Sequence, residues 1–225
     1  MQMERIREPE LMEKGEQAEA YANADFEESH GRIVHLFDAA FPAAAIKGPL
    51  LDLGCGPGDV TFRFARRFKG VTLVAVDGSA AMIALANKRK ESENEMGKNI
   101  TFLEAVIPGA VIPRRVYDTI ISTSFLHHLH DPGVLWQTIG EHASPGTRLF
   151  VYDLFRPKDR HEAMRLVGLY AGSEPEVLKK DFYNSLLAAF EPKEVEYQLS
   201  ISGLSELSVT VVSDRHMIIY GEKSG

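Results

Sequence analysis

Short apolar runs alternate with amphipathic stretches through the middle of the chain. The runs are almost entirely apolar, which is typical of strands buried on both faces of a parallel sheet. The stretches between them, such as residues 59–69, repeat apolar residues at the spacing of one helix face. The predicted strands cover residues 50–53, 71–76, 100–103, 117–122 and 147–152. This alternation predicts a parallel sheet with helices on both faces.

The two ends of the chain have different patterns. Residues 16–26 are rich in Ala and Glu, and residues 30–41 carry an apolar stripe, which predicts a helical N-terminal cap. Towards the C-terminus, the pattern predicts helices over residues 158–170, 174–190 and 192–202, then β-strands over residues 207–212 and 216–220. We therefore predict a doubly wound α/β fold with a seven-stranded, mostly parallel sheet that ends in an antiparallel hairpin.

The composition is that of a soluble globular protein, with 44% hydrophobic and 25% charged residues among 225. The single cysteine, Cys55, excludes an internal disulfide and a zinc site built from several thiolates. No apolar run approaches the ~20 residues that span a bilayer, and residues 1–15 lack the apolar segment of a signal peptide. We expect a soluble, cytoplasmic protein without a membrane partner.

The charge argues against nucleic acid as a partner. The formal net charge is −7, so the phosphates of a nucleic acid would be repelled overall. The richest basic stretch, residues 88–90, is followed at once by Glu91, Glu93 and Glu95, which is typical of a solvated helix end.

A glycine-rich turn follows the first predicted strand. Its sequence is Leu51-Asp52-Leu53-Gly54-Cys55-Gly56-Pro57-Gly58-Asp59, with glycines at alternate positions before a predicted helix. Glycines let the backbone turn tightly and let a ligand approach without a Cβ in the way. Asp77 ends the second strand, where a carboxylate can accept hydrogen bonds from both hydroxyls of a ribose.

A dinucleotide fits this turn poorly. In the pattern G-x-G-x-x-G, Asp59 or Thr61 would occupy the third glycine position, depending on the register. A pyrophosphate would also meet the carboxylates of Asp52 and Asp59, and like charges at such range cost energy. The turn favours a ligand that has a ribose and a cationic tail without phosphate.

The segment from Leu51 to Gly58 resembles motif I of the class I S-adenosylmethionine-dependent methyltransferases, and Val76-Asp77-Gly78-Ser79 resembles their second motif. The similarity in the order of strands and helices extends over residues 48–220. The resemblance implies a Rossmann-like fold and S-adenosylmethionine as cofactor, whose ammonium and sulfonium groups are cationic. The cofactor-binding residues that it implies are Asp52, Gly54, Cys55, Gly56, Gly58, Asp77, Gly78, Ser79, Met82, Glu104, Ser122 and Tyr21.

The same resemblance assigns roles to these residues. The glycines would line the methionine part of the cofactor, and Asp52 would hold its ammonium directly or through water. Asp77 would accept the ribose hydroxyls, while Gly78 and Met82 would border the adenine.

Two parts of the cofactor site stay open. The family often has an acidic residue after the third strand to bind the adenine amino group, but Val106 occupies that position here. Either Glu104 replaces it or a backbone group does. Tyr21 and Phe26 lie on the N-terminal segment, which covers the cofactor in many relatives; the alternative is that they anchor this helix by hydrophobic contact.

Ligands of a parallel α/β sheet lie outside the carboxyl ends of its strands, so polar residues there are the catalytic candidates. We expect a general base, if the acceptor needs one, among His127, His128, Asp153 and His216. The alternative for the histidines is a role in loop structure or packing. Adjacent histidines in an extended stretch point apart, whereas zinc needs converging ligands, so we predict no metal site. Residues 122–131 also lack the Asn/Asp-Pro-Pro-aromatic motif of methyltransferases that act on nucleic-acid bases.

Two arginines are candidate substrate-binding residues. Arg156 and Arg215 would favour a carboxylate or another anionic small substrate. Arg156 could instead form an ion pair with Asp153 that fixes the loop. Arg215 and His216 reach the cofactor side only if the sixth strand is parallel and the seventh antiparallel, which the long helical connection and the short turn at residues 213–215 predict. An ordinary hairpin turn is the alternative there.

We therefore predict one methyltransferase domain that transfers a methyl group to a small molecule, with an anionic one favoured. Its parts are the N-terminal cap (1–46), the cofactor-binding core (47–153), a helical insertion (154–205) and the terminal hairpin (206–225). Three alternatives remain: a protein that binds S-adenosylmethionine without methyltransferase activity, a carboxyl-transferring relative, and, less favoured, a nicotinamide-dependent oxidoreductase. The sequence specifies no oligomeric state.

Overall fold

The computed structural model describes residues 3–9, 27–42, 46–109 and 112–225, and a seven-stranded sheet lies at its centre. The strands are β1 (Leu50–Leu53), β2 (Leu73–Asp77), β3 (Ile100–Glu104), β4 (Thr119–Thr123), β5 (Arg148–Leu154), β6 (Ser208–Val211) and β7 (His216–Glu222). Their order across the sheet is β3-β2-β1-β4-β5-β7-β6, with β1 to β5 mutually parallel. This arrangement confirms the predicted doubly wound sheet.

Helices cover both faces of the sheet. They are α1 (Glu27–Ala40), α2 (Asp59–Arg67), α3 (Ala80–Ser92), α4 (Asn94–Gly97), α5 (Gly133–His142), α6 (Arg160–Tyr170), α7 (Glu176–Ala188) and α8 (Pro192–Ile201). Helix α7 begins two residues later than predicted, because Pro175 stands at its N-cap with an extended ψ of 149°. The helix predicted over residues 16–26 lies outside the described residues. Among the helices that the structure describes, none has both the length and the apolarity needed to cross a bilayer.

Both faces of the sheet are packed, which is why its central strands are mostly apolar. On one face, Phe37 of α1 makes edge-on contacts with Phe64, Phe68 and Phe150 at centroid distances of 5.2, 5.6 and 5.5 Å. On the other face, α5 and α8 pack against the sheet with Trp136 fully buried. All four residues of β1 are buried, so the turn that follows β1 starts from a rigid base.

The terminal hairpin has the predicted topology. Strand β7 is antiparallel to both β5 and β6, so β6 runs parallel to β5. His216 pairs with Leu154, the last residue of β5, and Phe155 N–H donates to the Arg215 carbonyl (2.9 Å). The turn between β6 and β7 therefore lies at the carboxyl edge of the sheet, where the glycine-rich turn also lies.

An N-terminal segment, residues 3–9, ties α7 to the turn that follows β4. Ile6 N–H donates to the Leu187 carbonyl (3.0 Å). The guanidinium of Arg5 donates to the carbonyls of His127 and Leu129 (both 2.9 Å) and lies 3.8 Å from the ring centroid of Phe190. Because this segment is far away in sequence, it adds groups to the carboxyl edge that no local pattern predicts.

Candidate active site

The three glycines after β1 all have positive φ angles, of 75°, 52° and 83°, which favour glycine. They differ in their surroundings. A Cβ on Gly54 would lie 2.2 Å from the ring of Phe125, and one on Gly58 would lie 2.8 Å from the ring of Phe102. A Cβ on Gly56 would meet no described atom within 4 Å. Gly54 and Gly58 are therefore required by packing, whereas Gly56 borders open space that a ligand can enter.

Asp77 shapes the same turn. Its Oδ2 accepts a hydrogen bond from Gly56 N–H and its Oδ1 accepts one from Ser79 N–H, both at 2.8 Å. Burial raises the pKa of Asp77. Each oxygen keeps a lone pair, so the carboxylate can also accept hydrogen bonds from the ribose hydroxyls, which is the role predicted for it. The side chain of Ser79 is committed elsewhere, because its hydroxyl accepts the Met82 N–H at the start of α3 (3.3 Å).

Asp52 lies fully buried in β1 beneath the turn. Its Oδ2 accepts a hydrogen bond from the Thr61 hydroxyl (2.6 Å), whereas its Oδ1 has no hydrogen-bond partner among the described residues. Burial raises the pKa of Asp52 to about 7. A buried oxygen without a donor calls for one, and a bound ammonium would supply it. The neighbouring Cys55 side chain packs into the apolar core, and burial raises the pKa of its thiol.

The carboxylate of Asp59, which we expected to repel a pyrophosphate at the turn, is paired with three other side chains. Its carboxylate lies 2.8 Å from His30 Nδ1, 2.7 Å from Arg63 Nε and 2.9 Å from Arg89 Nη1. Burial alone would raise the pKa of Asp59, but the hydrogen bonds from these three side chains outweigh burial and lower it. The inference that Asp59 repels a pyrophosphate is therefore wrong, because this charge is already neutralised by its partners.

Glu104 and Met82 are the expected residues described near the ends of β2 and β3, whereas Ser122 lies on the other side of β1, in β4. Glu104 pairs in register with Asp77 and is exposed at the carboxyl end of β3, beside the 62% exposed Val106. Met82 is a buried residue in the first turn of α3. Ser122 is fully buried and donates its hydroxyl hydrogen to the Leu53 carbonyl (2.8 Å), so it joins β4 to β1. Tyr21 and Phe26 lie outside the described residues.

Asp153, a candidate base, organises the turn after β4. Its Oδ2 accepts the N–H groups of Phe125 (2.9 Å) and Leu126 (2.8 Å), and its Oδ1 accepts Leu154 N–H (2.7 Å). His127 Nδ1 lies 2.5 Å from the same Oδ1. With both oxygens occupied and the residue almost fully buried, Asp153 is placed to position the turn rather than to accept a proton from a substrate.

The two histidines of this turn lie side by side. Residues Leu126–His128 form a 3₁₀ turn, and the rings of His127 and His128 are 4.2 Å apart between centroids. The expectation that adjacent histidines point apart in an extended stretch is therefore wrong, because the chain coils here. Burial alone would lower the pKa of His127, but Asp153 and Glu8 outweigh it and raise it. Burial lowers the pKa of His128 to about 3.

Glu8 of the N-terminal segment completes this cluster, and sequence reasoning missed it. Its Oε1 lies 3.6 Å from His127 Nε2 and 3.1 Å from His128 Nδ1. Ser185 Oγ donates to Glu8 Oε1 (3.1 Å), and burial raises the pKa of the Glu8 carboxyl. No motif surrounds Glu8, so no sequence signal could have found it.

Arg156 is not placed to bind substrate, which corrects the sequence prediction. Its buried guanidinium donates to the Ala189 carbonyl (2.9 Å) and pairs with Glu191 (3.2 Å) and Glu194 (3.0 Å). The alternative of an ion pair with Asp153 is also wrong, since the partners belong to the start of α8. Arg156 therefore joins the end of β5 to α8.

Arg215 and His216 lie at the carboxyl edge as the topology predicted. The Arg215 guanidinium stacks 3.2 Å from the ring centroid of Tyr170 and pairs with Asp214 (3.1 Å). The His216 ring stacks on Tyr152 at 4.6 Å. Burial, with the nearby arginine charges, lowers the pKa of His216 to about 3, so its ring is neutral at pH 7.

Comparisons with known proteins find methyltransferases. A family model described as a methyltransferase domain matches residues 51–149. The uncharacterized methyltransferase Rv0089 of Mycobacterium tuberculosis is 27% identical over 72% of this chain and 80% of that protein. A trans-aconitate 2-methyltransferase of Delftia acidovorans is 31% identical over 52% of this chain and 41% of that protein. Among solved structures, a SAM-dependent methyltransferase from Aquifex aeolicus matches with a TM-score of 0.66 and 15% identity, covering 92% of this chain and 97% of that chain.

The sheet order, the glycine turn and these relatives together define a class of enzyme. Residues 51–149 form a methyltransferase domain similar to those of the class I S-adenosylmethionine-dependent enzymes, and the cofactor of such a domain is S-adenosylmethionine. The residues present fit that cofactor: open space at Gly56, an acceptor without a donor at Asp52, and spare acceptor capacity at Asp77.

Proposed function

We propose that the protein transfers the methyl group of S-adenosylmethionine to a small molecule that carries a carboxylate. The observation that carries this proposal is the placement of Arg215 at the carboxyl edge of the sheet, next to Tyr170 and the turn that joins β6 to β7. A guanidinium beside the active site favours binding of an anionic substrate, even in a protein whose net charge is negative.

The cofactor is bound and oriented by the turn after β1. When bound, it supplies a methyl group on a positively charged sulfur. Gly56 leaves room for its methionine part, Asp77 accepts the ribose hydroxyls, and Asp52 pairs with the ammonium. The protein's main contribution to rate is then alignment of the acceptor with the sulfonium methyl.

The candidate bases support a carboxylate as the acceptor. Both carboxylate oxygens of Asp153 already accept hydrogen bonds, and His127 is buried between Asp153 and Glu8. His216 is neutral but stacked on Tyr152, and its pKa of about 3 makes it a weak base. A carboxylic acid has a pKa of about 4 and is ionised at pH 7, so it needs no base before it attacks. The relative named for trans-aconitate supports an organic acid as the substrate class.

A panel of small mono-, di- and tricarboxylates, assayed with methyl-labelled cofactor, tests the proposal. Arg215→Gln should raise KM for an accepted carboxylate at least about tenfold, the cost of one charge-assisted hydrogen bond, and leave cofactor affinity unchanged. Arg165→Gln is the matched control, because Arg165 also lies near Asp214 (3.5 Å) but belongs to the exposed face of α6. Equal effects of the two substitutions, or methylation of neutral analogues at the same rate, would contradict the proposal.

A further inference from the structure

Glu8, His127 and His128 bring three ligand atoms together from two distant segments. These atoms all lie within 4.8 Å of one another. The pocket is well shielded: the side chains of Glu8 and His127 are 10% and 4% exposed, and that of His128 is 16% exposed. Two of its residues, His127 and His128, belong to the turn after β4, and none of the three is among the residues expected to bind the cofactor.

The hydrogen bonds around the cluster fix the tautomers of both rings. His127 Nδ1 faces the Asp153 carboxylate at 2.5 Å, so that nitrogen carries the hydrogen and Nε2 turns towards Glu8. His128 makes a hydrogen bond to the backbone of Pro9. Because proline has no N–H, the ring must donate to the Pro9 carbonyl. His128 Nδ1 has no hydrogen-bond partner among the described residues, so the donor is Nε2 and Nδ1 keeps its lone pair.

Two ring nitrogens and a carboxylate oxygen thus direct lone pairs into one small space. Lone pairs that face each other at 3.1 and 3.6 Å repel unless a proton or a metal ion lies between them. Ligand atoms around a tetrahedral zinc ion, with bonds of about 2.0–2.1 Å, are roughly 3.3 Å apart. The two observed distances bracket that value.

The geometry points to a divalent transition-metal site formed by Glu8 Oε1, His127 Nε2 and His128 Nδ1, with Zn²⁺ as the best match. Two imidazoles and one carboxylate suit Zn²⁺ or Co²⁺ better than Mg²⁺ or Ca²⁺, which prefer oxygen ligands only. The surroundings are those of a metal site, since each ligating ring donates its other N–H to a carboxylate or a carbonyl. We predicted no metal site because adjacent histidines in an extended stretch point apart, but the two rings lie side by side, 4.2 Å between centroids.

Such an ion would fasten the N-terminal segment to the turn after β4. Asp153 would then serve both the metal site, through His127, and the turn, through Phe125 N–H. The ring of Phe125 lies against Gly54, so the metal site would be connected to the cofactor turn through Asp153 and Phe125.

The full-length protein, stripped with a chelator and dialysed, is titrated with Zn²⁺ by calorimetry and with Co²⁺ by visible absorbance. We expect one ion per chain, with binding weakened at least about a hundredfold in His128→Gln, the loss of one of three ligands. His161→Gln, which removes an exposed histidine on α6, is the matched control and should bind like the parent.

Circular dichroism and cofactor binding check that the variants are folded. If His128→Gln does not fold, Glu8→Gln makes the same test from a segment outside the sheet. The site does not exist if the parent binds neither ion with a Kd below about 100 µM, or if both ligand variants bind as tightly as His161→Gln. In the first case, a proton shared between His127 and Glu8 would hold the cluster together.

Discussion

Substitution of Gly56 tests the cofactor turn more selectively than any other change. Gly56 has a φ of 52° and borders open space, whereas its neighbours Gly54 and Gly58 pack against aromatic rings. Gly56→Val should therefore fold, because the new side chain meets no described atom within 4 Å of its Cβ. The side chain would occupy the space through which the cofactor approaches the backbone.

Two costs must be separated. A non-glycine residue in the left-handed region costs about 1–3 kcal/mol of stability, and this cost appears whether or not a ligand binds. Gly70→Val measures it alone, because Gly70 also has a positive φ (82°) and nothing within 4 Å, but it precedes β2 at the opposite edge of the sheet. Both variants should lose similar stability in urea denaturation.

Only Gly56→Val should lose the cofactor. Calorimetry with S-adenosylmethionine should show a Kd at least about tenfold higher than that of the parent, or about 1.4 kcal/mol, and Gly70→Val should bind normally. If Gly56→Val binds as well as the parent, or if Gly70→Val loses affinity to the same extent, the turn does not hold the cofactor in the way described.

Three further predictions concern buried charged groups. Burial raises the pKa of Asp52 to about 7. Because the ammonium needs the ionised carboxylate, cofactor affinity should fall as pH drops through 7, and Asp52→Asn should abolish that dependence in calorimetry between pH 6 and 8. In the ligand-free protein, the raised pKa of Asp52 adds to the free energy of unfolding below pH 4, and this contribution is lost as the pH rises through 7. The account would be contradicted if the parent and Asp52→Asn had the same pH profile of unfolding. Arg156→Ala should cost about 2 kcal/mol of stability in urea denaturation, since it removes the ion pairs with Glu191 and Glu194, and it should leave KM unchanged. A rise in KM without loss of stability would show that Arg156 binds substrate after all.

The parts of the fold that local pattern controls could be predicted from the sequence. Both faces of the sheet are covered, so the central strands are short, buried and mostly apolar, and they stand out from the helices between them. The positions of Asp77 and the glycines follow from chain order, because the carboxyl ends of parallel strands meet at one edge. Predicting the placement of Arg215 needed one more inference. The turn before β7 is too short for a parallel crossover, so β7 had to be antiparallel.

The parts that depend on long-range partners could not be predicted. Arg156 and Asp153 are neighbours in sequence, yet Arg156 pairs with α8 while Asp153 holds the turn after β4. Asp59 is neutralised by residues on three different helices. A pyrophosphate is therefore disfavoured by the carboxylate of Asp52 and by the glycine spacing, not by Asp59.

Calorimetric titration of the full-length protein with S-adenosylmethionine, with NAD as the comparison, tests the central claim most directly. We predict one site per chain with a micromolar Kd, about −8 kcal/mol, and no measurable heat with NAD. In Asp77→Ala the loss of a charged acceptor to the ribose should weaken binding by about 1.5–3 kcal/mol. Tight binding of NAD without binding of S-adenosylmethionine would contradict the account.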